Sequence, residues 1–108
     1  MKFRLSNIAL QDLRVIFAYI RDQWSEKQAK KYIDGLWDQM EEIARNPELH
    51  RIRNDVYPGC RIAFKGRHAI LYRIKEGRLE IARVLHVAMD LGRHVPDAFF
   101  DEAGGTDE

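Results

Sequence analysis

Arginine and histidine side chains in the second half of the chain are the groups best suited to chemistry on a phosphate. Cleavage of RNA through its 2′-hydroxyl needs a general base, a general acid and a cation that stabilises the charge of the transition state. Four residues of the sequence could share these roles, namely Arg61, Arg83, His86 and His94. These residue types could therefore supply an acid, a base and a positive charge.

Some of these residues are also spaced as metal ligands on a helix could be. His86, Asp90 and His94 follow one another at equal intervals that would bring them to one face of a helix. However, His86 ends a pattern typical of a strand and Gly92 interrupts the segment, so we predict no metal site. The phosphate-binding patterns GxGxxG and GxxxxGK[ST] do not occur, and we expect no cofactor.

The single cysteine and the two serines are better explained by structure than by nucleophilic catalysis. Cys60 follows a turn at the start of a strand, where a neighbouring cation could lower the pKa of a thiol, but a small core residue is the simpler interpretation. Ser6 and Ser25 each precede a helical pattern, and a serine there accepts a hydrogen bond from a backbone N–H group. We therefore predict a buried thiol and two helix caps.

The 18 basic and 17 acidic residues of the chain are unevenly distributed. Residues 1–44 are balanced, residues 45–94 hold 11 basic against 5 acidic side chains, and residues 95–108 hold 5 acidic and no basic ones. An acidic partner would thus be attracted to the middle of the chain. Direct sequence-specific binding of nucleic acid is not expected, because Phe64 and Tyr72, the aromatic residues between Cys60 and His86, alternate as core residues would.

Hydrophobic periodicity predicts a short strand and two helices before this basic region. Phe3 and Leu5 alternate with polar residues, as in a strand with one buried face. Apolar residues at intervals of three and four predict an amphipathic helix over residues 7–23 and a second one that begins after Ser25. The second helix should end at Asn46-Pro47. Helices joined this closely form an antiparallel hairpin.

The remainder of the chain predicts a loop and three strands. Residues 47–59 lack a period, and two-residue turns containing Gly66 and Gly77 then separate strands that end at Lys65, run over 68–75 and run over 78–86. The fold class is α+β in the order β-α-α-β-β-β, with the helix hairpin on one face of an antiparallel sheet. The other face would be open and basic, with the side chains of Arg61, Lys65, Arg73 and Lys75.

The length of 108 residues fits one domain. We predict a domain over residues 1–96 and an acidic tail over residues 97–108 that is partly disordered. No apolar run approaches the ~20 residues that a membrane span needs, and the lone cysteine excludes an internal disulfide. A cytoplasmic protein that does not bind membranes is therefore expected.

The order and spacing of several short segments resemble a known protein family. The segments span about residues 2–94, and they are Leu13…Ile16…Tyr19-Ile20, Gln28-Ala29…Tyr32, Arg53-Asn54-Asp55…Gly59-Cys60-Arg61, His68-Ala69-Ile70-Leu71-Tyr72-Arg73-Ile74 and Ile81-Ala82-Arg83-Val84-Leu85-His86…Met89-Asp90. Together they resemble the ParE branch of the RelE/ParE toxin superfamily. The resemblance implies the same fold as the periodicity does, a two-helix hairpin on a small antiparallel sheet.

The resemblance also implies a function. Members of the ParE branch are toxins of type II toxin–antitoxin systems that block DNA gyrase and are neutralised when a ParD-like antitoxin wraps around them. It implies charge contacts with these partners, for which we expect Arg53, Arg61, Arg73, Arg83 and His86. The alternative is a ribosome-dependent mRNA interferase of RelE type, but the C-terminal tyrosine typical of that branch is missing, since no tyrosine follows Tyr72.

Overall fold

The computed structural model describes residues 1–89 and the short strand 106–107. Two helices and five strands make up this part of the chain, and in sequence order they are β1 (Phe3–Leu5), α1 (Asn7–Gln23), α2 (Glu26–Arg45), β2 (Arg61–Lys65), β3 (His68–Lys75), β4 (Arg78–His86) and β5 (Thr106–Asp107). The predicted α+β class and the element order through residue 86 are confirmed. The predicted domain boundary at residue 96 and most of the predicted tail lie outside the described residues.

The sheet has the strand order β2-β3-β4-β1-β5. Strands β2, β3 and β4 form the predicted antiparallel meander. Strand β1 instead pairs parallel to β4, which the expectation of a purely antiparallel sheet had missed. A parallel neighbour needs a long crossover, and here the helix hairpin and the meander together carry the chain from β1 to β4.

Both predicted helix caps are present. The Ser6 hydroxyl accepts a hydrogen bond from the Ala9 N–H at 2.9 Å, and the Ser25 hydroxyl accepts one from the Gln28 N–H at 3.1 Å. Ser6 also donates its hydroxyl proton to the Ala82 carbonyl of β4 at 2.8 Å. The cap therefore fixes the start of α1 against the sheet as well as satisfying the helix end.

The main core lies between the helix hairpin and one face of the sheet. Leu13 and Ile16 of α1 and Leu36 and Met40 of α2 pack there against β1, β3 and β4. Trp37 lies at the margin of this core, with its ring 5.3 Å from that of Phe3. Burial of these side chains, at about 25 cal/mol per Å² of apolar surface, supplies the main favourable term in folding.

The second face of the sheet is not the open basic surface that we predicted. It carries a second buried cluster, and its members are Tyr57, Cys60, Ile62, Ala69, Leu71, Ala82 and Leu85. In β2, Ala63 rather than Ile62 packs against the helices, so Arg61 and Lys65 lie on the helix side, and only Arg73 and Lys75 belong to the second face. Because both faces bury apolar residues, alternation alone could not show which one the helices cover.

The expectation that Phe64 is a core residue was also wrong. Tyr72 is fully buried as predicted, but the Phe64 side chain is 59% exposed. The aromatic argument against nucleic-acid binding therefore loses one of its two residues. Among the described residues no helix is both long and apolar enough to cross a membrane.

Candidate functional site: a groove beside the first helix

A groove of about 1070 Å³ runs between α1 and the last residues of β4. One wall is apolar and consists of Val15, Ile16, Tyr19 and Ile20 of α1 together with Trp24, which follows the helix. The other end is polar, and its side chains are Arg67 and His68 at the β2–β3 turn and Arg83 and His86 of β4. The groove thus joins an apolar wall to a cluster of nitrogen donors.

The groove exists because β1 is too short to cover the whole of β4. Strand β1 pairs with β4 only as far as Ile81, where the Ser6 N–H donates to the Ile81 carbonyl at 3.0 Å and the chain turns into α1. The remaining edge of β4 faces α1. There the Asp12 carboxylate accepts a hydrogen bond from the Val84 N–H at 2.9 Å. A side chain of the helix therefore takes the place that a strand carbonyl would have.

Asp12 also holds Arg83. The two carboxylate oxygens accept hydrogen bonds from Nε and from one terminal nitrogen of the Arg83 guanidinium, both at 2.8 Å. Only 12% of the Asp12 side chain and 16% of the Arg83 side chain are exposed. A two-point contact of this kind is stronger than an ordinary surface ion pair, and it links α1 to β4 along the groove.

Tyr32 of α2 anchors the β2–β3 turn at the polar end of the groove. Its hydroxyl lies 2.7 Å from Nδ1 of His68, accepts a hydrogen bond from the Arg67 N–H at 3.2 Å and donates one to the Lys65 carbonyl at 3.3 Å. Gly66 in this turn has φ +59°, and a Cβ atom there would lie 2.6 Å from the Tyr32 hydroxyl oxygen. The turn therefore needs glycine for its backbone and for the approach of Tyr32.

His68 and His86 face each other across β3 and β4. They are directly opposed in the strand register, and their ring centroids are 5.5 Å apart. Burial lowers the pKa of His68 below its usual value of 6.5, and the nearby His86 lowers it further, while Asp12 acts in the opposite direction. His68 is therefore mainly neutral at pH 7.

The apolar wall of the groove is open to solvent. Trp24 is 69% exposed and Tyr19 is 60% exposed, and the two rings contact edge to face with centroids 6.3 Å apart. Val15, one turn before Tyr19, is exposed as well. Grouped exposed residues of this size beside a groove are typical of a surface that binds another protein.

Of the predicted functional residues that the structure describes, Arg83 and His86 alone lie at this groove. Arg53 instead makes a two-point ion pair with Asp55 in the loop before β2, which raises the pKa of Arg53 and lowers that of Asp55. The remaining two basic residues also have structural contacts away from the groove, and these are Arg61 with the Glu48 and His50 carbonyls and Arg73 with Glu80.

The catalytic set considered for RNA cleavage is not assembled among the described residues. Arg61 contacts the loop on the far side of β3, Arg83 is paired with Asp12, and His94 lies outside the described residues. Burial raises the pKa of Cys60 to about 11, so its thiol is the core residue predicted. Within residues 1–89 no three acidic, histidine or cysteine side chains are placed to hold a metal ion.

Sequence reasoning missed several residues of the groove. The residues predicted for function did not include Tyr32, His68, Asp12 or Trp24. The sequence did contain one signal of the position of His68. The two-residue turn places His68 at the start of β3, and Tyr32 contacts the same turn.

Comparison with known proteins decides the family. The family model described as ParE toxin of type II toxin-antitoxin system, parDE, matches residues 3–91. The chain belongs to the ParE toxin family. Toxin ParE1 of Mycobacterium tuberculosis is 33% identical to this ParE toxin over 95 residues, which are 87% of this chain and 97% of the relative. Toxin ParE1 of Caulobacter vibrioides is 34% identical over 93 residues, which are 86% and 96% of the two chains.

A solved structure gives the same fold for this ParE toxin. A chain of the chromosomal ParDE TA system from P. aeruginosa superposes with a TM-score of 0.71 over 80% of this chain and 95% of that one, at 18% sequence identity. At that identity the likeness bears on the fold alone. The predicted family and fold are thus both confirmed, and the chain is the toxin of a parDE type II toxin–antitoxin system.

Proposed function

We propose that this ParE toxin inhibits DNA gyrase as a stoichiometric ligand and is neutralised by a ParD-like antitoxin that binds in the groove beside α1. Membership of the ParE family carries the proposal. The groove supplies its physical basis, because it is the place among the described residues where exposed aromatic side chains and cationic or donor groups meet.

The apolar wall suits an amphipathic segment of the antitoxin. Val15 and Tyr19 lie one turn apart on α1, Trp24 follows the helix as its C-cap, and all three are exposed and line the groove. A partner helix with an apolar stripe could cover them, as in other helix-in-groove complexes. A segment that is disordered alone and folds on binding can also reach the polar end around Arg67. Acidic residues of the antitoxin would be favoured there.

The contacts of the arginines support a toxin that acts without cleaving RNA. Arg83 donates to Asp12 through two nitrogens, and Arg61 donates to two loop carbonyls. A guanidinium that stabilises a phosphorane-like transition state must direct its donors at the substrate. Both side chains direct donors at the protein itself, so recruiting them for catalysis would break contacts of the fold.

A supercoiling assay with purified gyrase tests the proposal. We expect the toxin to reduce supercoiling and to increase cleaved DNA, and we expect an equimolar amount of antitoxin to restore the reaction. A matched variant pair locates the antitoxin: Trp24→Ala, in the groove, should weaken antitoxin binding, whereas Leu49→Ala, equally exposed but outside the groove, should not. Unaltered gyrase turnover at excess toxin would contradict the proposal.

The mRNA interferase of RelE type is the second candidate, and the exposed His86 beside His68 is the observation that favours it. Imidazoles that face a groove next to Arg67 could act as acid and base. Primer extension on translated mRNA after toxin expression separates the two functions. Cuts at defined codons that disappear in His86→Ala would support the interferase, whereas intact mRNA with induction of the SOS response would support gyrase inhibition.

A further inference from the structure

The hydrogen bonds at His86 fix which of its ring nitrogens carries a proton. Nδ1 of His86 accepts a hydrogen bond from the Ala88 N–H at 3.1 Å. A nitrogen that accepts has no proton, so the neutral ring carries its proton on Nε2. Among the described residues Nε2 has no hydrogen-bond acceptor, and the ring is exposed where the groove ends. His86 therefore offers a single N–H donor to whatever enters the groove.

His68 has the opposite tautomer, because the Tyr32 hydroxyl has a single proton. The hydroxyl donates that proton to the Lys65 carbonyl at 3.3 Å and accepts a hydrogen bond from the Arg67 N–H at 3.2 Å. Nδ1 of His68, 2.7 Å from the same oxygen, then donates to it, which leaves Nε2 of the neutral ring without a proton. His86 therefore presents an Nε2–H donor to the groove, and His68 presents one when it takes up a proton at Nε2.

These donors disfavour two ligands and favour a third. A metal ion held between the two rings would need the Nε2 lone pair of both, and at His86 a proton occupies it. A phosphate dianion would need strong cations, and Arg83 beside the rings already shares its charge with Asp12. A carboxylate needs only a few donors and carries one negative charge, and Arg67 at the turn adds a favourable potential.

We propose that the polar end of the groove is a carboxylate subsite, in which the Nε2–H group of His86 and that of protonated His68 receive one acidic side chain of the antitoxin segment that covers the apolar wall. The inference rests on the proposed function, because it names the chemistry by which the same partner is recognised. The acidic residue lies at the end of an apolar stripe, since the groove continues from the two rings along Tyr19 and Trp24.

The two histidines then differ in their response to pH. A bound carboxylate favours the imidazolium form of the ring that it contacts. His68 can take up a proton at Nε2 without losing a contact, because its Nδ1–H continues to donate to the Tyr32 hydroxyl. At His86 a second proton would occupy Nδ1 and break the bond from the Ala88 N–H. Binding is therefore coupled to proton uptake at His68.

Several charged or titratable groups surround His68. His86 on β4 opposes a positive charge on His68 and Asp12 on α1 favours it, while the cations Arg67 and Arg83 line the same groove. In the free toxin burial and His86 outweigh Asp12, since the pKa of His68 lies below its usual value. The carboxylate of a partner adds a second favourable charge that the free toxin lacks.

Two measurements test the subsite, and the first needs only the toxin. Long-range ¹H–¹⁵N correlation spectra distinguish Nδ1–H from Nε2–H imidazoles, and we expect Nδ1–H for His68 and Nε2–H for His86 in the free toxin. In the second, antitoxin affinity is measured by calorimetry from about pH 8 to about pH 6, the range in which a histidine titrates. We expect affinity to rise by roughly threefold to tenfold as the pH falls, with proton uptake, because one pKa unit corresponds to a tenfold change.

Matched variants separate the two roles. His86→Ala should weaken binding by roughly tenfold to a hundredfold, as for a hydrogen bond to a charged group, and His86→Gln, which keeps an amide N–H near the position of Nε2, should restore most of it. His68→Gln should abolish the pH dependence. His50→Gln is the control, because His50 packs on Tyr72 outside the groove.

Several results would overturn the subsite. They are an Nδ1–H tautomer at His86, an affinity independent of pH, a pH dependence that persists in His68→Gln, and displacement of the antitoxin by millimolar inorganic phosphate at constant ionic strength. Each of these results still requires that the toxin binds the antitoxin. Failure of the wild-type toxin to bind the antitoxin at any pH would instead overturn the proposed function, and the subsite with it.

Discussion

Removal of the Asp12 carboxylate should destabilise the toxin more than any other single change on the exposed side of α1. Asp12 accepts hydrogen bonds from the Val84 N–H and from two nitrogens of Arg83, at 2.8–2.9 Å. Asp12→Ala would leave the Arg83 charge in a largely desolvated position and remove the acceptor of a strand N–H group. Both losses act on the edge of β4 that forms the groove.

The magnitude follows from the burial of the pair. Loss of one partner of a buried ion pair costs about 3–5 kcal/mol, and the residual exposure of Asp12 and Arg83 lowers our expectation to about 2–4 kcal/mol. For a domain of this size each kcal/mol lowers Tm by about 4–8 °C. A loss of this size is a substantial part of the about 5–15 kcal/mol that stabilises a typical domain.

Guanidinium chloride unfolding, followed by the fluorescence of Trp24 and Trp37, measures the effect. We expect a lower midpoint with an unchanged slope. Asp22→Ala is the control, because Asp22 pairs with Arg21 on the same helix but both side chains are at least half exposed, and such a pair contributes about 0–1 kcal/mol. If Asp12→Ala and Asp22→Ala destabilised the toxin equally, the structural role of Asp12 would be refuted.

A double-mutant cycle separates the ion pair from the strand contact. Arg83→Met removes the charge that Asp12→Ala would leave unpaired. The double variant should therefore be less destabilised than the two single changes predict when added together, by about 1–3 kcal/mol. Additive losses would show that Asp12 acts through Val84 alone.

Three further changes test other contacts of the groove and the core. Gly66→Ala should destabilise the toxin by about 1–2 kcal/mol, measured by chemical unfolding, whereas Gly77→Ala, with a similar positive φ but nothing within 4 Å of the added Cβ, should lose only the backbone part. The pKa of His68 is below 6.5 in the folded chain, so the unfolded chain takes up the proton first as the pH falls. The contribution of His68 to stability is therefore complete above about pH 6.5 and decreases below it. His68→Asn should reduce the pH dependence of the unfolding free energy in that range, and an identical slope in the variant would argue against this role. The Cys60 thiol, with its pKa raised to about 11, should react with a disulfide reagent only as fast as the fold opens, and rapid labelling without denaturant would contradict its burial.

The secondary structure of this toxin follows closely from local signals. Ser6 and Ser25 cap the helices as their sequence positions predicted, and glycines at positive φ make the turns at 66 and 77. These features depend on a few neighbouring residues, so a single sequence contains the required information. The family was predictable for a different reason, namely the order of short segments along the chain.

The assignment of the sheet faces could not be predicted in the same way. Cys60, Ile62 and Phe64 form an apolar row, and the natural expectation was that this row packs on the helices. The smaller Ala63 does so instead, while Ile62 joins the cluster beneath Tyr57. The choice depends on which side the loop before β2 covers, and that is a tertiary contact with no local signal. Because Arg61 and Lys65 lie on the same side of β2 as Ala63, the predicted basic face does not form.

The polar end of the groove depends on one irregularity in β4. If β3 and β4 paired regularly from the turn at Gly77 onwards, Leu85 would lie opposite His68. The register instead shifts between Leu71 and Tyr72, so that His86 lies opposite His68. Ala82 is the extra residue of this bulge, and a bulge turns the following side chains to the other face.

The apolar residues of β4 carry the same information. Leu79 and Ile81 pack on the helix side, and so does Val84, three residues after Ile81, although regular alternation would have sent Arg83 into that core. The bulge allows Val84 to face the helices and Arg83 to reach Asp12 at the edge. A change in hydrophobic period within one strand thus encodes both the ion pair and the opposed histidines. The groove is therefore specified by the packing of β4, and its contacts depend on Ala82 remaining the residue without a partner in the β3–β4 register.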